Sequence, residues 1–201
     1  MSDLLTRDRW VFRQKTKLIE LTAEFAILDE EGNQIGMVRQ EGQSNLKKVA
    51  RFVSSLDQFM THTLAVYDGA GAKVVELTRP RKVFKSTVVV KDGQDREIGR
   101  IVQQNIVGKI RFALQDAHGG DVGSLNGENW RAWNFSIKDA SGTEVARITK
   151  TWEGLLRTAF TTADHYVLEV SGELSPQLRP IVFASAAGVD LALKQDARGF
   201  N

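Results

Sequence analysis

The chain has 201 residues, 42% hydrophobic and 26% charged, which predicts one globular domain over residues 1–201 and excludes both a disordered tail and a bundle of membrane spans. Its 27 Lys and Arg stand against 25 Asp and Glu, and a net charge of +2 is too small to point to a nucleic-acid partner. With no cysteine there is no disulfide, thiol nucleophile, zinc–thiolate site or palmitoylation site.

From the start of the chain, Met1 to Arg9 lacks the apolar core of a signal peptide, and a cytoplasmic protein is expected. A repeat begins at Phe25: alternating apolar residues, then Asp, a Gly three residues on, and aliphatic residues six and nine on. The first copy is Phe25 to Val38, with Asp29, Gly32, Ile35 and Val38 at the defining places. The second has Asp68, Gly71, Val74 and Leu77; the third has Asp92, Ile98 and Ile101, with Asp95 in the glycine place. Asp116 with Gly119, Val122 and Leu125, and Asp139 with Gly142, Val145 and Ile148, complete the set. Alternation at period two makes a half-buried strand, and Asp followed by Gly supplies the side-chain acceptor and the positive φ of a chain reversal. Each copy is therefore a β-hairpin, and from Asp68 the spacings are 24, 24 and 23 residues. A weaker sixth hairpin is predicted from Leu155–Thr162 and Tyr166–Val170. Six hairpins give about twelve antiparallel strands, and closing them into a barrel removes exposed edges.

One insertion interrupts the rhythm at residues 44–59. Leu46, Val49, Val53, Leu56 and Phe59 fall at helical spacing, with Lys47, Lys48 and Arg51 off that stripe, which predicts a short basic amphipathic helix. It either packs as a lid over a barrel mouth or rests on a membrane surface.

The last element is a helix over residues 180–195, apolar on every side and so expected to be buried. Ser175 and Pro176 precede it, Pro180 suits its first turn and Lys194 its negative end. It is shorter than the roughly 20 apolar residues that cross about 30 Å of hydrocarbon, and it carries Asp190, which needs a partner when buried. A barrel of about twelve strands cannot fill its lumen from the wall alone. This helix, with Ala184, Ser185, Ala186, Ala187 and Gly188, is predicted to fill it.

Ala146 to Asp164, with Lys150, Trp152, Gly154 and Arg157, resembles the segment before the last helix of phospholipid scramblases and their bacterial relatives. Val11 to Lys15, Leu64 to Arg81 and Asp190 resemble the same family. The resemblance implies a Tubby C-terminal-like barrel, shared with the LURP-one-related proteins, with twelve strands about a central C-terminal helix. It also implies phosphoinositide binding in some relatives. The segment Thr162 to Glu173 departs from the scramblase calcium-loop pattern: Thr162, Tyr166, Val167 and Leu168 hold places that need oxygen ligands or glycine, and only Asp164 and Glu173 are left as metal candidates.

For chemistry, there is no Gly-x-Ser-x-Gly, and His62, His118 and His165 are scattered, the latter two in predicted turns. No catalytic set and no cofactor is expected. Two basic clusters suit phosphate oxygens: Arg79, Arg81, Lys82 and Lys85, and Arg7, Arg9, Arg13, Lys15 and Lys17. With Lys47, Lys48 and Arg51 they make anionic membrane lipid the expected ligand and a peripheral membrane position the expected location. Trp10, Trp130, Trp133 and Trp152 serve either as interfacial anchors or as core. The alternatives are a scaffold meeting a protein partner through the barrel edge or the helix of 44–59, and lipid translocation, against which the length of the final helix and Asp190 argue.

Overall fold

The computed structural model describes residues 2–14, 23–41, 61–80, 86–105, 109–129, 134–149 and 165–196. Its strands are β1 (Arg9–Gln14), β2 (Ala23–Leu28), β3 (Gln34–Glu41), β4 (His62–Asp68), β5 (Lys73–Arg79), β6 (Thr87–Asp92), β7 (Glu97–Gln103), β8 (Arg111–Asp116), β9 (Asp121–Asn129), β10 (Asn134–Asp139), β11 (Glu144–Thr149) and β12 (His165–Val170). Each pairs antiparallel with its sequence neighbours, and β1 pairs with β12, which closes the barrel. This is the twelve-stranded barrel expected above.

The five Asp-led turns behave as their chemistry requires. In each, the Asp carboxylate accepts the amides two and four residues on: Asp29 from Glu31 and Asn33, Asp68 from Ala70 and Ala72, Asp92 from Gln94 and Arg96, Asp116 from His118 and Gly120, Asp139 from Ser141 and Thr143. The fourth residue is left-handed, glycine in four turns and Asp95 at φ 64° in the third. Every one of these hairpins then shifts register where its last strand pair meets the turn, the bulge that such a turn creates.

These turns make stability sensitive to acid. The Asp116 carboxyl lies below the ordinary carboxylate range because the Gly120 amide, then that of His118, favours its charged form; at Asp139 the Ser141 hydroxyl leads. At Asp29 and Asp92 burial opposes ionisation, but the hydrogen bonds from Asn33 and from Arg96 outweigh it. A carboxyl depressed in the folded state contributes stability that is complete above its unfolded value of about 3.9 and is lost as pH falls through the folded value. The urea midpoint is expected to hold between about pH 5 and 7 and to fall below about pH 4. In Asp116→Asn/Asp139→Asn, which keeps the acceptors without the titration, that acid slope is expected to flatten; an unchanged slope would refute the assignment.

The helix, α1 (Leu178–Asp196), starts two residues earlier than predicted and ends one later, opened by Ser175, whose hydroxyl accepts the Leu178 amide at 3.1 Å. Every residue from Ile181 to Val189 is buried, as a helix inside a closed wall must be. Leu178 lies against Gly123 of β9, Ile181 against Gly99 of β7, and Gly188 against Ile101 and Leu77. Phe183 faces the opposite wall, with Trp10 at 5.2 Å and Phe12 at 5.9 Å between ring centroids. Trp10 is thus core, 1% exposed, and is not an interfacial anchor; Trp130, Trp133 and Trp152 lie outside the described residues. The side chain of Asp190 also lies outside what is described.

One further expectation is corrected. Residues Tyr166–Val170 do not pair with 155–162: β11 takes one side of β12 and β1 the other. The twelfth strand is instead the N-terminal β1. Among the described residues every strand of the barrel has two neighbours. The predicted helix of 44–59 lies outside the described residues.

Candidate functional site

Antiparallel neighbours put alternate connections at opposite ends of the barrel. One end carries the five Asp-led turns. It is also where the chain enters: the 3-10 turn Asp3–Leu5 places Leu4 against α1 and Gly36, the Trp10 indole donates to the Leu4 carbonyl, and Ser2 donates to Asp68. Arg179 at the start of α1 donates to the Arg7 carbonyl and to Asp8. The helix therefore enters at this end and runs toward the other.

The other end receives the connections 15–22, 42–61, 80–86, 104–110, 130–133 and 150–164. Inside that mouth the wall is divided. From β3 to β7 the inward side chains are polar: Gln40, His62, Arg79, Ser86 and Gln103, the last four buried. Ser86 and Gln103 bond reciprocally, the Ser86 amide to the Gln103 amide oxygen at 3.0 Å and the Gln103 amide to the Ser86 carbonyl at 2.9 Å. Gln40 Nε2 lies 3.3 Å from His62 Nδ1, and His62 stands opposite Arg79 across β4 and β5. The remaining wall at this level is aromatic: Tyr166 stacks on Phe12 at 5.1 Å and meets Phe25 edge-on at 5.8 Å.

Of the residues singled out from sequence, Arg79 is 4% exposed and points into the mouth beside Leu77 and Val75, so it does not belong to an exposed patch. Arg81, Lys82, Lys85, Lys47, Lys48, Arg51 and Asp164 lie outside the described residues. Glu173 follows β12 at the Asp-turn end, whereas Asp164 precedes it at the other. Among the described residues no three His, Asp or Glu are grouped to hold a metal. The histidines are not brought together either: His118 is in a turn at one end, while His62 and His165 begin β4 and β12, with three strands between them at the other. His165 is thus a strand residue, not a turn residue.

The outer wall is charged and self-neutralised. Lys73 bridges Glu76 and Asp95, and Lys91 reaches Glu76 at 3.7 Å. Arg147 holds Glu128, Glu144 and Asn134, and its pKa is raised, chiefly by Glu128 and then Glu144. Arg9 joins Glu30 and Glu169, and Arg100 joins Glu97. An apolar lumen with charges outward is the inverse of a lipid-facing barrel. Among the described residues no helix is long and apolar enough to cross a membrane.

By sequence the two ends of the barrel differ in charge, although Glu30, Asp92 and Asp95 of the acidic turns are paired with Arg9, Arg96 and Lys73. The six connections at the open mouth carry twelve Lys and Arg against four Asp and Glu, while the five Asp-led turns, each counted from its Asp, carry eight Asp and Glu against Arg96. The helix dipole runs in the compatible sense, its positive end toward the acidic turns, but about half a charge at each end is far less than this excess.

A family model described as Scramblase matches residues 4–193, and the chain belongs to that family. A protein from Arabidopsis thaliana solved by X-ray is similar at a TM-score of 0.49 and 14% identity over 90% of each chain. No curated protein matches.

Proposed function

We propose that this member of the Scramblase family is a non-catalytic module that binds anionic phospholipid headgroups through the basic end of its barrel. The observation that carries the reading is the axial charge: Lys47, Lys48 and Arg51 fall in the connection from β3 to β4, and Arg81, Lys82 and Lys85 in that from β5 to β6, so both leave the barrel at one end. Guanidinium and ammonium groups there meet phosphate oxygens as charge-assisted donors, each contributing about 1 kcal/mol at an anionic surface. Arg79, turned inward, is part of the mouth's packing and not of this surface. The helix that translocation would need in lipid is instead the filling of the lumen, buried from Ile181 to Val189, which favours binding over translocation.

The test is sedimentation with neutral and with anionic vesicles. Wild type is expected to bind only the anionic ones and to release as salt rises, because the attraction is screened. Arg81→Ala/Lys82→Ala is expected to bind about 30-fold more weakly, two charges at about 1 kcal/mol each. Absence of wild-type binding to any vesicle would sink the reading.

A further inference from the structure

We propose that Lys109 and Arg111 form a second anchoring point on the same rim, so that the barrel stands end-on, its axis normal to an anionic lipid surface and its Asp-led turns facing away. This rests on the headgroup reading above and adds residues and an orientation to it.

Of the described Lys and Arg side chains, most are engaged: Arg9, Lys73, Lys91, Arg96, Arg100, Arg147 and Arg179 in ion pairs with carboxylates, Arg7 near Asp3, and Arg39 over the Tyr67 ring at 5.6 Å. Arg13, Lys109, Arg111 and Lys138 make no direct ion pair, although Lys109 and Lys138 act on the Glu128 carboxylate through space. Three of these four lie at the open mouth, and only Lys138 lies toward the Asp-led turns.

Lys109 and Arg111 are moreover held in place. The Asn105 side chain donates to the Lys109 carbonyl and accepts the Arg111 amide at 3.0 Å, while the Gln104 amide bonds the Arg111 carbonyl at 2.8 Å and the Gly127 amide the Ile110 carbonyl at 2.8 Å. This clamp fixes the backbone through main-chain atoms and leaves both cationic side chains exposed, one on each side of Ile110. Ordering them on a surface therefore costs little backbone entropy.

The orientation follows from where the free cations stand around the ring. Arg13 is on β1, five strands from β8 in one direction and seven in the other, so it lies nearly across the barrel from Arg111. Cations on opposite sides of one mouth reach a flat surface together only when the barrel axis is close to its normal. The acidic turns at the far end are repelled by the same surface, and their hydrogen-bonded carboxylates stay charged into the acid range.

The experiment uses vesicles of phosphatidylcholine with and without phosphatidylserine. Lys109→Ala/Arg111→Ala keeps the main-chain clamp and is expected to partition about 30-fold more weakly with an unchanged urea midpoint; Lys138→Ala is expected to change partitioning less than about twofold. Because the chain has no cysteine, single labels at Gln104→Cys and Ala117→Cys report orientation through a lipid-borne quencher, with quenching expected at 104 and not at 117. A double variant that binds like wild type, or labels quenched alike, overturns the end-on inference while leaving headgroup binding in place. A wild type that binds no vesicle overturns both.

Discussion

Replacing Phe183 by alanine is expected to destabilise the fold by about 3–5 kcal/mol, a large part of the roughly 5–15 kcal/mol that holds a domain together. Phe183 has no exposed surface and is the ring through which the central helix meets the wall where the two ends of the barrel close, with Trp10 edge-on and Phe12 tilted against it. Phe12 in turn stacks on Tyr166, so one truncation opens a cavity bordered by β1, β12 and α1. The wall cannot collapse into that space without breaking β1 to β12 pairing, the contact between residues some 160 positions apart that closes the ring. Phe183→Leu, which keeps much of the volume but not the ring contacts, is expected to cost about 1–1.5 kcal/mol. Urea denaturation of both variants is the measurement. A cost below about 1 kcal/mol for the alanine variant would mean that the helix is not the filling of the lumen.

The parts of this architecture that are written locally were legible in the chain. An Asp followed three residues on by Gly closes its turn with its own side chain and one left-handed residue, and all five copies do so, including the third, where Asp95 takes the positive φ. The buried helix was legible because it has no polar stripe to place in water. Contacts between distant segments were not. β1 has the alternation of a strand, Trp10 and Phe12 inward, but no turn marks it, because its closing partner is at the far end of the chain. Lacking that partner, Tyr166–Val170 looked like half of a hairpin with the residues just before it. Arg79 differs from its expectation in exposure. It follows Val75 and Leu77 at spacing two, which puts it on the core face of β5, yet its proximity to Arg81, Lys82 and Lys85 suggested a surface cluster. The proposed anchoring pair Lys109 and Arg111 carries no motif at all, since what sets it apart is the Asn105 clamp that holds its backbone.

Gly99→Val is expected to cost at least about 3 kcal/mol although valine is a better strand former than glycine. A Cβ at this position would lie 2.3 Å from the Gln115 carbonyl oxygen and 2.5 Å from Ile181 Cδ1, one a fixed backbone atom of β8 and the other a side chain of the helix. The position is the seventh after the turn Asp, and three copies fill it with glycine where the helix or the N-terminal 3-10 turn comes close: Gly36 beside Leu4, Gly99 beside Ile181 and Gly123 beside Leu178. Val75 occupies it in the second copy and is buried, so the wall accepts a branched side chain at that position. The two obstacles at Gly99 separate in a double-mutant cycle. Ile181→Ala relieves the contact with the helix and leaves the carbonyl, so Gly99→Val/Ile181→Ala should fall short of the sum of the single costs by about 1 kcal/mol or more, measured by urea denaturation. Strict additivity would mean that the glycine is required by strand pairing alone, and a Gly99→Val variant as stable as wild type would mean that helix and wall do not meet there.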